Sequence, residues 1–153
     1  MNVLILGDGL TSITLAKMLV NNGIKVDIFS NKKTKKYNKI QTLGISKTNV
    51  EFFNKNILNI KNFLWNIDNI EIYSENLKNE KILNFENKEN NLFFMIRNYD
   101  LYNHLLLNLK KDKLIKFKKD IKHRNLEKSN YNLIFNCDNS NLISKKFFFR
   151  LIN

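Results

Sequence analysis

The sequence predicts an α/β protein that opens with a parallel strand–helix–strand unit and continues into antiparallel strands. Three observations lead there. Val3–Leu6 is a short, unbroken apolar run, as a strand buried on both faces requires. Gly7-Asp8-Gly9-Leu10-Thr11-Ser12 follows at once, and apolar residues then recur at helical spacing at Ile13, Leu15, Ala16, Leu19 and Val20. Later segments of strand character are separated by charged turns instead of helices, which marks a meander and not further strand–helix–strand repeats.

The opening unit is explained residue by residue. Gly7 lets the chain turn tightly out of the first strand, and Gly9, with no side chain, lets backbone approach a pyrophosphate closely. The free N–H groups and partial positive charge at the helix start then hold phosphates. Ser12 stands where this motif usually has Gly or Ala, and is small enough for close helix–strand packing. Gly23 is placed to stop the helix, and Ile24–Phe29 is the second strand. Together these residues predict a Rossmann-like βαβ dinucleotide-binding unit.

Bulk properties narrow the class. The chain has 153 residues, 43% of them hydrophobic, enough for a real core. No stretch approaches the ~20 apolar residues of a membrane span, and the first strand is too short for a signal peptide. The single cysteine, Cys137, excludes a disulfide framework and fits a cytoplasmic protein. His104 and His123 form no Cys/His cluster, so no metal is expected, and both read as surface or helix-face residues. The net charge of +12 comes from lysines spread through nearly every segment. The densest basic run, Asn31–Lys39, holds Tyr37 as its one aromatic, so solvated charge is expected and not a specific nucleic-acid surface. Weak attraction to acidic lipid head groups fits the same charge.

Ser30 follows the second strand, where a dinucleotide fold usually carries an acid for the ribose hydroxyls; Lys32 and Lys33 nearby leave a 2′-phosphate as an alternative. Ser46 is placed to cap a helix carrying Val50, Phe52 and Phe53, and Asn56–Trp65 reads as a further amphipathic piece. Ile67–Tyr73, Lys81–Phe85 and Leu92–Ile96 are predicted strands, with a charged turn at Glu86–Asn91. A helix starting at Asn98 or Asp100 places Leu101, Leu105 and Leu109 on one face. Leu114–Phe117 and Tyr131–Asn136 are predicted to pair with each other, the second running into Cys137-Asp138-Asn139-Ser140. Cys137 is expected to be a buried structural thiol. Trp65 and Phe147-Phe148-Phe149 read as core packing or apolar surface in preference to a binding patch.

This order resembles the FAD-dependent aromatic-ring hydroxylases, and within them the ubiquinone-biosynthesis polyprenyl-phenol hydroxylases. The residues that carry it are G-D-G-L-T-S with Ala16 and Gly23, Q-T-L-G-I-S (Gln41–Ser46) before I-L-N-I-K-N-F-L-W, M-I-R-N-Y-D-L-Y-N-H-L, and Y-N-L-I-F-N-C-D-N-S-N-L-I-S-K-K. The resemblance implies that Gly7, Asp8, Gly9, Leu10, Thr11 and Ser12 lie at the FAD pyrophosphate and Ser30 at the adenosine ribose. Gln41 matches an arginine that helps hold FAD, Asn98 falls on the helix returning to the flavin, Ile121 lies near the adenine, and Asp138 starts a second cofactor loop. Strands from about residue 66 to 97 would begin an inserted antiparallel, substrate-covering sheet. Ser30, Gln41 and Asn139 depart from the acid, arginine and glycine usual at their positions.

The implied activity is ring hydroxylation of a small aromatic, prenylated substrate with FAD, O₂ and NAD(P)H, and no catalytic side chain is assigned. Family members are far longer, so the chain is expected to be an N-terminal portion, truncated or one half of a split protein, completed by a C-terminal half or companion hydroxylase chains. It would be cytoplasmic and peripheral at the inner membrane surface. Two other readings stay open from the residues alone. One is a non-catalytic NAD(P)- or FAD-binding module; the other is a basic interaction protein on a βαβ scaffold.

Overall fold

The strand–helix–strand start forms as its residues dictate. In the computed structural model, which describes residues 1–30, 40–75, 80–86, 93–118 and 130–138, β1 (Asn2–Leu6) leads through α1 (Leu10–Asn21) to β2 (Lys25–Phe29), parallel to β1 with Val3 opposite Val26. Ile13, Ala16, Lys17 and Val20 are the buried stripe of α1, spaced to turn one face onto β1 and β2. Gly23 ends the helix in a left-handed conformation, φ +75°. Its N–H donates to Val20 O and that of Ile24 to Leu19 O, the paired bonds of a Schellman stop.

Two compact units make up the chain, Met1–Lys36 with Tyr102–Asn153, and Tyr37–Leu101. In the first, β8 (Ile115–Lys118) and β9 (Leu133–Asn136) complete a four-stranded sheet in the order β8-β2-β1-β9, every pair parallel. The expected pairing of Leu114–Phe117 with Tyr131–Asn136 is therefore wrong. Ile115 lies opposite Val26 and Leu133 opposite Val3, so the two strands occupy opposite edges. Fourteen residues separate the two strands in sequence, more than the roughly two to five of a hairpin turn. β1 sits inside the sheet, and Val3, Leu4 and Ile5 are fully buried, which accounts for its unbroken apolar run.

The second unit holds two antiparallel sheets. β3 (Thr42–Ile45) and β4 (Leu64–Ile67) flank β7 (Phe93–Arg97), and β5 (Asn69–Ser74) pairs with β6 (Glu80–Glu86). α2 (Lys47–Asn56) starts as expected at Ser46, whose hydroxyl accepts from Asn49 N at 3.3 Å. Val50 is buried and Phe53 half-buried, but Phe52 is exposed because it falls off their i, i+3 stripe. Trp65, expected in an amphipathic piece with Asn56, lies on β4 after a short 3₁₀ turn at Lys61–Phe63. The expected single strand Ile67–Tyr73 breaks at Asp68 into β4 and β5, which join different sheets. α3 (Asn98–Lys110) buries Leu101, Leu105 and Leu109 as its spacing predicts. Asn31–Lys39 and Phe147–Phe149 lie outside the described residues, as does most of the Glu86–Asn91 turn. Among the described residues no helix is long and apolar enough to cross a membrane.

Candidate functional site

The glycine turn is built by backbone constraint. Gly7 has φ +107°, a conformation side-chain-bearing residues rarely adopt, and its N–H donates to Phe29 O at 2.8 Å, tying the turn to the end of β2. A Cβ placed on Gly7 would lie 3.0 Å from Asp138 Cβ, 3.2 Å from Ser12 Oγ and 3.3 Å from Asp138 N. Gly7, Ser12 and Asp138 thus meet at one point: the ends of β1 and β9 and the first turn of α1. Asp138 is held there by its N–H, which donates to Asn136 Oδ1 at 3.3 Å, and by the bond from Cys137 N to Leu6 O at 2.9 Å.

Gly9 is different. It is the N-cap of α1 with φ −71°, a backbone any residue can take, and it supplies no side-chain cap. No acidic residue stands in the first turn, so α1 itself supplies no anionic side chain to the N–H groups and the positive dipole end at its start. Ser12 Oγ is fully buried, and among the described residues it has no hydrogen-bond partner except the Cys137 thiol beside it. A helix start without a side-chain cap, a glycine that backbone conformation does not demand, and a fully buried hydroxyl in the first turn fit an anion seated on α1. The residues present therefore fit a dinucleotide pyrophosphate.

Asp8, between the two glycines, points its carboxylate at β2. Ser30 Oγ donates to Asp8 Oδ2 at 2.6 Å, so the two candidate residues are joined directly. The acid missing from position 30 is present one strand away, held by the serine that replaces it. Sequence spacing gives no sign of this bond. Cys137 is half-buried, and burial pushes its thiol up, against a smaller opposing effect from the Ser12 hydroxyl; that is the behaviour of a structural thiol.

Gln41 and Asn98 belong to the second unit and are also brought together: Asn98 N donates to Gln41 O at 2.9 Å. Asn98 Oδ1 is buried without a hydrogen-bond partner, a second orphaned polar atom at a candidate position. Nearby in sequence, Arg97 stacks its guanidinium over Trp65 at 4.9 Å, a pairing that the β4–β7 register creates and the sequence pattern does not reveal. His104 lies half-buried on α3. Ile121, His123 and Asn139 lie outside the described residues, as do Lys32 and Lys33.

By sequence, no family model and no curated protein matches the chain. Solved structures do resemble it in fold. The p-nitrophenol 4-monooxygenase PnpA from Pseudomonas putida DLL-E4 superposes with a TM-score of 0.63 at 12% identity, over 76% of this chain and 31% of that one. PqsL, a probable FAD-dependent monooxygenase from Pseudomonas aeruginosa, gives 0.62 at 15% identity, over 80% and 35%. The tetrameric form of 2-methyl-3-hydroxypyridine-5-carboxylic acid oxygenase gives 0.60 at 12% identity, over 76% and 31%. The chain thus has the FAD-binding monooxygenase fold and spans about a third of the length of these structures.

Proposed function

We propose that the chain is the N-terminal portion of a flavin-dependent monooxygenase that hydroxylates an aromatic ring, with FAD as cofactor and NAD(P)H as electron donor. The observation that carries this reading is the start of α1, where Gly9 supplies no side-chain cap and the fully buried Ser12 Oγ has, among the described residues, no partner except the Cys137 thiol. Gly7, Gly9, Leu10, Thr11 and Ser12 hold the pyrophosphate by backbone donors and the Ser12 hydroxyl. Asp8, steadied by Ser30, accepts from the adenosine ribose in place of the acid usual at the end of β2. Gln41, Asn98 and Asp138 serve the flavin end, and Ile121 the adenine. Bound FAD supplies the redox chemistry of the hydroxylation, while these residues supply grip and orientation.

The substrate is a phenol of the ubiquinone-precursor kind, carrying a prenyl chain. A p-nitrophenol monooxygenase among the fold neighbours supports the phenol class. Further polypeptide, from a longer chain or a companion hydroxylase, completes the protein. The open apolar face of the β5–β6 hairpin, with Ile70, Ile72, Leu83 and Phe85 all exposed on it, supports such an addition, since a lone two-stranded hairpin is marginal in water. The protein works in the cytoplasm, at the inner membrane surface where a prenylated substrate resides.

The test is the absorbance spectrum of the purified protein with FAD and, in parallel, with NADPH, for wild type and Gly9→Glu. A carboxylate at the start of α1 collides with and repels a pyrophosphate. Retention of flavin by wild type and its loss in Gly9→Glu is the expected result. NADPH binding without flavin retention would replace this reading with a non-catalytic nucleotide-binding module.

A further inference from the structure

A second cavity lies at the other end of the parallel sheet, where the strands begin. It has a volume of about 330 Å³, and its lining includes Lys25, Lys113, Lys116, Asp27, Leu114 and Tyr131. The glycine turn follows Leu6, whereas the cavity lining starts at Asn2 and Lys25 and reaches Asp27, opposite Leu4 and two residues, about 7 Å at a strand's rise per residue, short of Leu6.

The charge around the cavity is one-sided. Among the described residues Asp27 is its one lining carboxylate, and it is already occupied: Lys118 Nζ lies 2.7 Å from Asp27 Oδ2, and the Tyr131 hydroxyl donates to the same oxygen at 2.5 Å. Lys118 also donates to the Tyr131 hydroxyl at 2.9 Å and stands 5.5 Å over its ring. This cluster fixes Tyr131 as a wall and neutralises Asp27. Asp112, beside the rim, is turned back on the chain, its Oδ1 accepting from Leu114 N at 2.9 Å. Lys25, Lys113 and Lys116 line the cavity, and none of them has an ion pair among the described residues. Three lysines, Leu114 and Tyr131 thus share the lining of a space of about ten water volumes.

We propose that this cavity is a binding site for a compact phosphate-bearing anion, with Lys25, Lys113 and Lys116 supplying the charge and the Asp27–Lys118–Tyr131 cluster holding the wall. The ligand class is a diphosphate or a phosphate monoester of similar size, either free in solution or as the head group of an anionic lipid. The site is independent of the dinucleotide grip.

The experiment uses the full chain carrying Gly9→Glu, so that the glycine turn takes no pyrophosphate, and titrates inorganic pyrophosphate by calorimetry. Lys25→Gln/Lys113→Gln/Lys116→Gln is compared with a control of equal charge in the second unit, Lys47→Gln/Lys55→Gln/Lys61→Gln. All six side chains are exposed, and circular dichroism checks that both variants fold. The expected result is saturable one-to-one binding, weakened roughly tenfold or more by the cavity set and by less than about twofold by the control. A parallel arm uses vesicles of phosphatidic acid, whose head group is a phosphate monoester, and vesicles of phosphatidylcholine. Phosphatidic acid binding that depends on the cavity set, without saturable pyrophosphate binding, would assign the phosphate to a head group and still support the site. Equal weakening by both triple substitutions, or no saturable binding of either probe, would overturn it.

Discussion

Replacing Gly7 by alanine tests whether the turn is fixed by backbone and contact or merely tolerates glycine. Two costs add. At φ +107° a side-chain-bearing residue is strained by about 1–2 kcal/mol. The new Cβ would also press to 3.0 Å of Asp138 Cβ and 3.3 Å of Asp138 N, where backbone must move, and to 3.2 Å of Ser12 Oγ. Overpacking of that kind costs about 1–3 kcal/mol. The sum, about 2–5 kcal/mol, is a large part of the stability of a small domain. Gly23 is the internal control, since it too has positive φ, at +75°, but nothing lies within 4 Å of its absent Cβ. Gly23→Ala should therefore show the strain alone, about 1 kcal/mol. Urea unfolding followed by far-ultraviolet circular dichroism measures both, and the difference between them is the packing cost at Gly7. If Gly7→Ala were no more destabilising than Gly23→Ala, the meeting of Gly7, Ser12 and Asp138 would not be as described.

Other perturbations follow from the same geometry. Asp8→Asn keeps the shape of the bond to Ser30 but removes the charge, so FAD affinity measured by flavin fluorescence should fall roughly tenfold, as loss of a charged acceptor implies; tighter binding would mean that Asp8 repels the phosphates instead of receiving the ribose. At Gly44 an added Cβ would sit 2.1 Å from Phe93 Cε1, so Gly44→Ala should cost about 1–3 kcal/mol and Gly44→Ala/Phe93→Ala should show strong non-additivity in a double-mutant cycle. In the β5–β6 hairpin the Glu71 carboxyl is held down to about 2 from 4.5, first by the hydrogen bond from Lys81, at 2.5 Å, and then by the Tyr73 hydroxyl. The folded value lies below the unfolded one, so this support is complete above about pH 4.5 and is lost as pH falls toward 2. A carboxyl-carbon NMR titration with a Glu71 midpoint near the ordinary glutamate value would contradict that.

The first 30 residues were legible because every local signal there agrees with the tertiary outcome. Val3–Leu6 is apolar on both faces since β1 is central, and Gly23 is glycine since it closes a Schellman stop. Elsewhere the determining partner is distant in sequence. β3 escaped notice because Thr42–Ile45 is four residues with a glycine inside, and its assignment depends on Phe93–Arg97 lying opposite. The break at Asp68 did leave a trace: Ile67 and Ile70 are three apart, out of phase with the two-residue alternation of Ile70 and Ile72. β8 and β9 look alike as short apolar runs, and only the preference of β1 and β2 for a neighbour on each side sends them to opposite edges. At the site, the tight turn at Gly7 and the helix start behind it were readable. The bond that ties Ser30 to Asp8, and the convergence of Asp138 on Gly7, exist only once β2 and β9 stand on either side of β1.

The central claim, that the start of α1 grips the pyrophosphate of FAD, is tested most directly by backbone amide NMR of the isotope-labelled chain on addition of FAD. The expected result is saturable movement of the Gly7, Gly9, Leu10, Thr11 and Ser12 amides together with Ser30. FAD binding that leaves those amides in place while others move would contradict it.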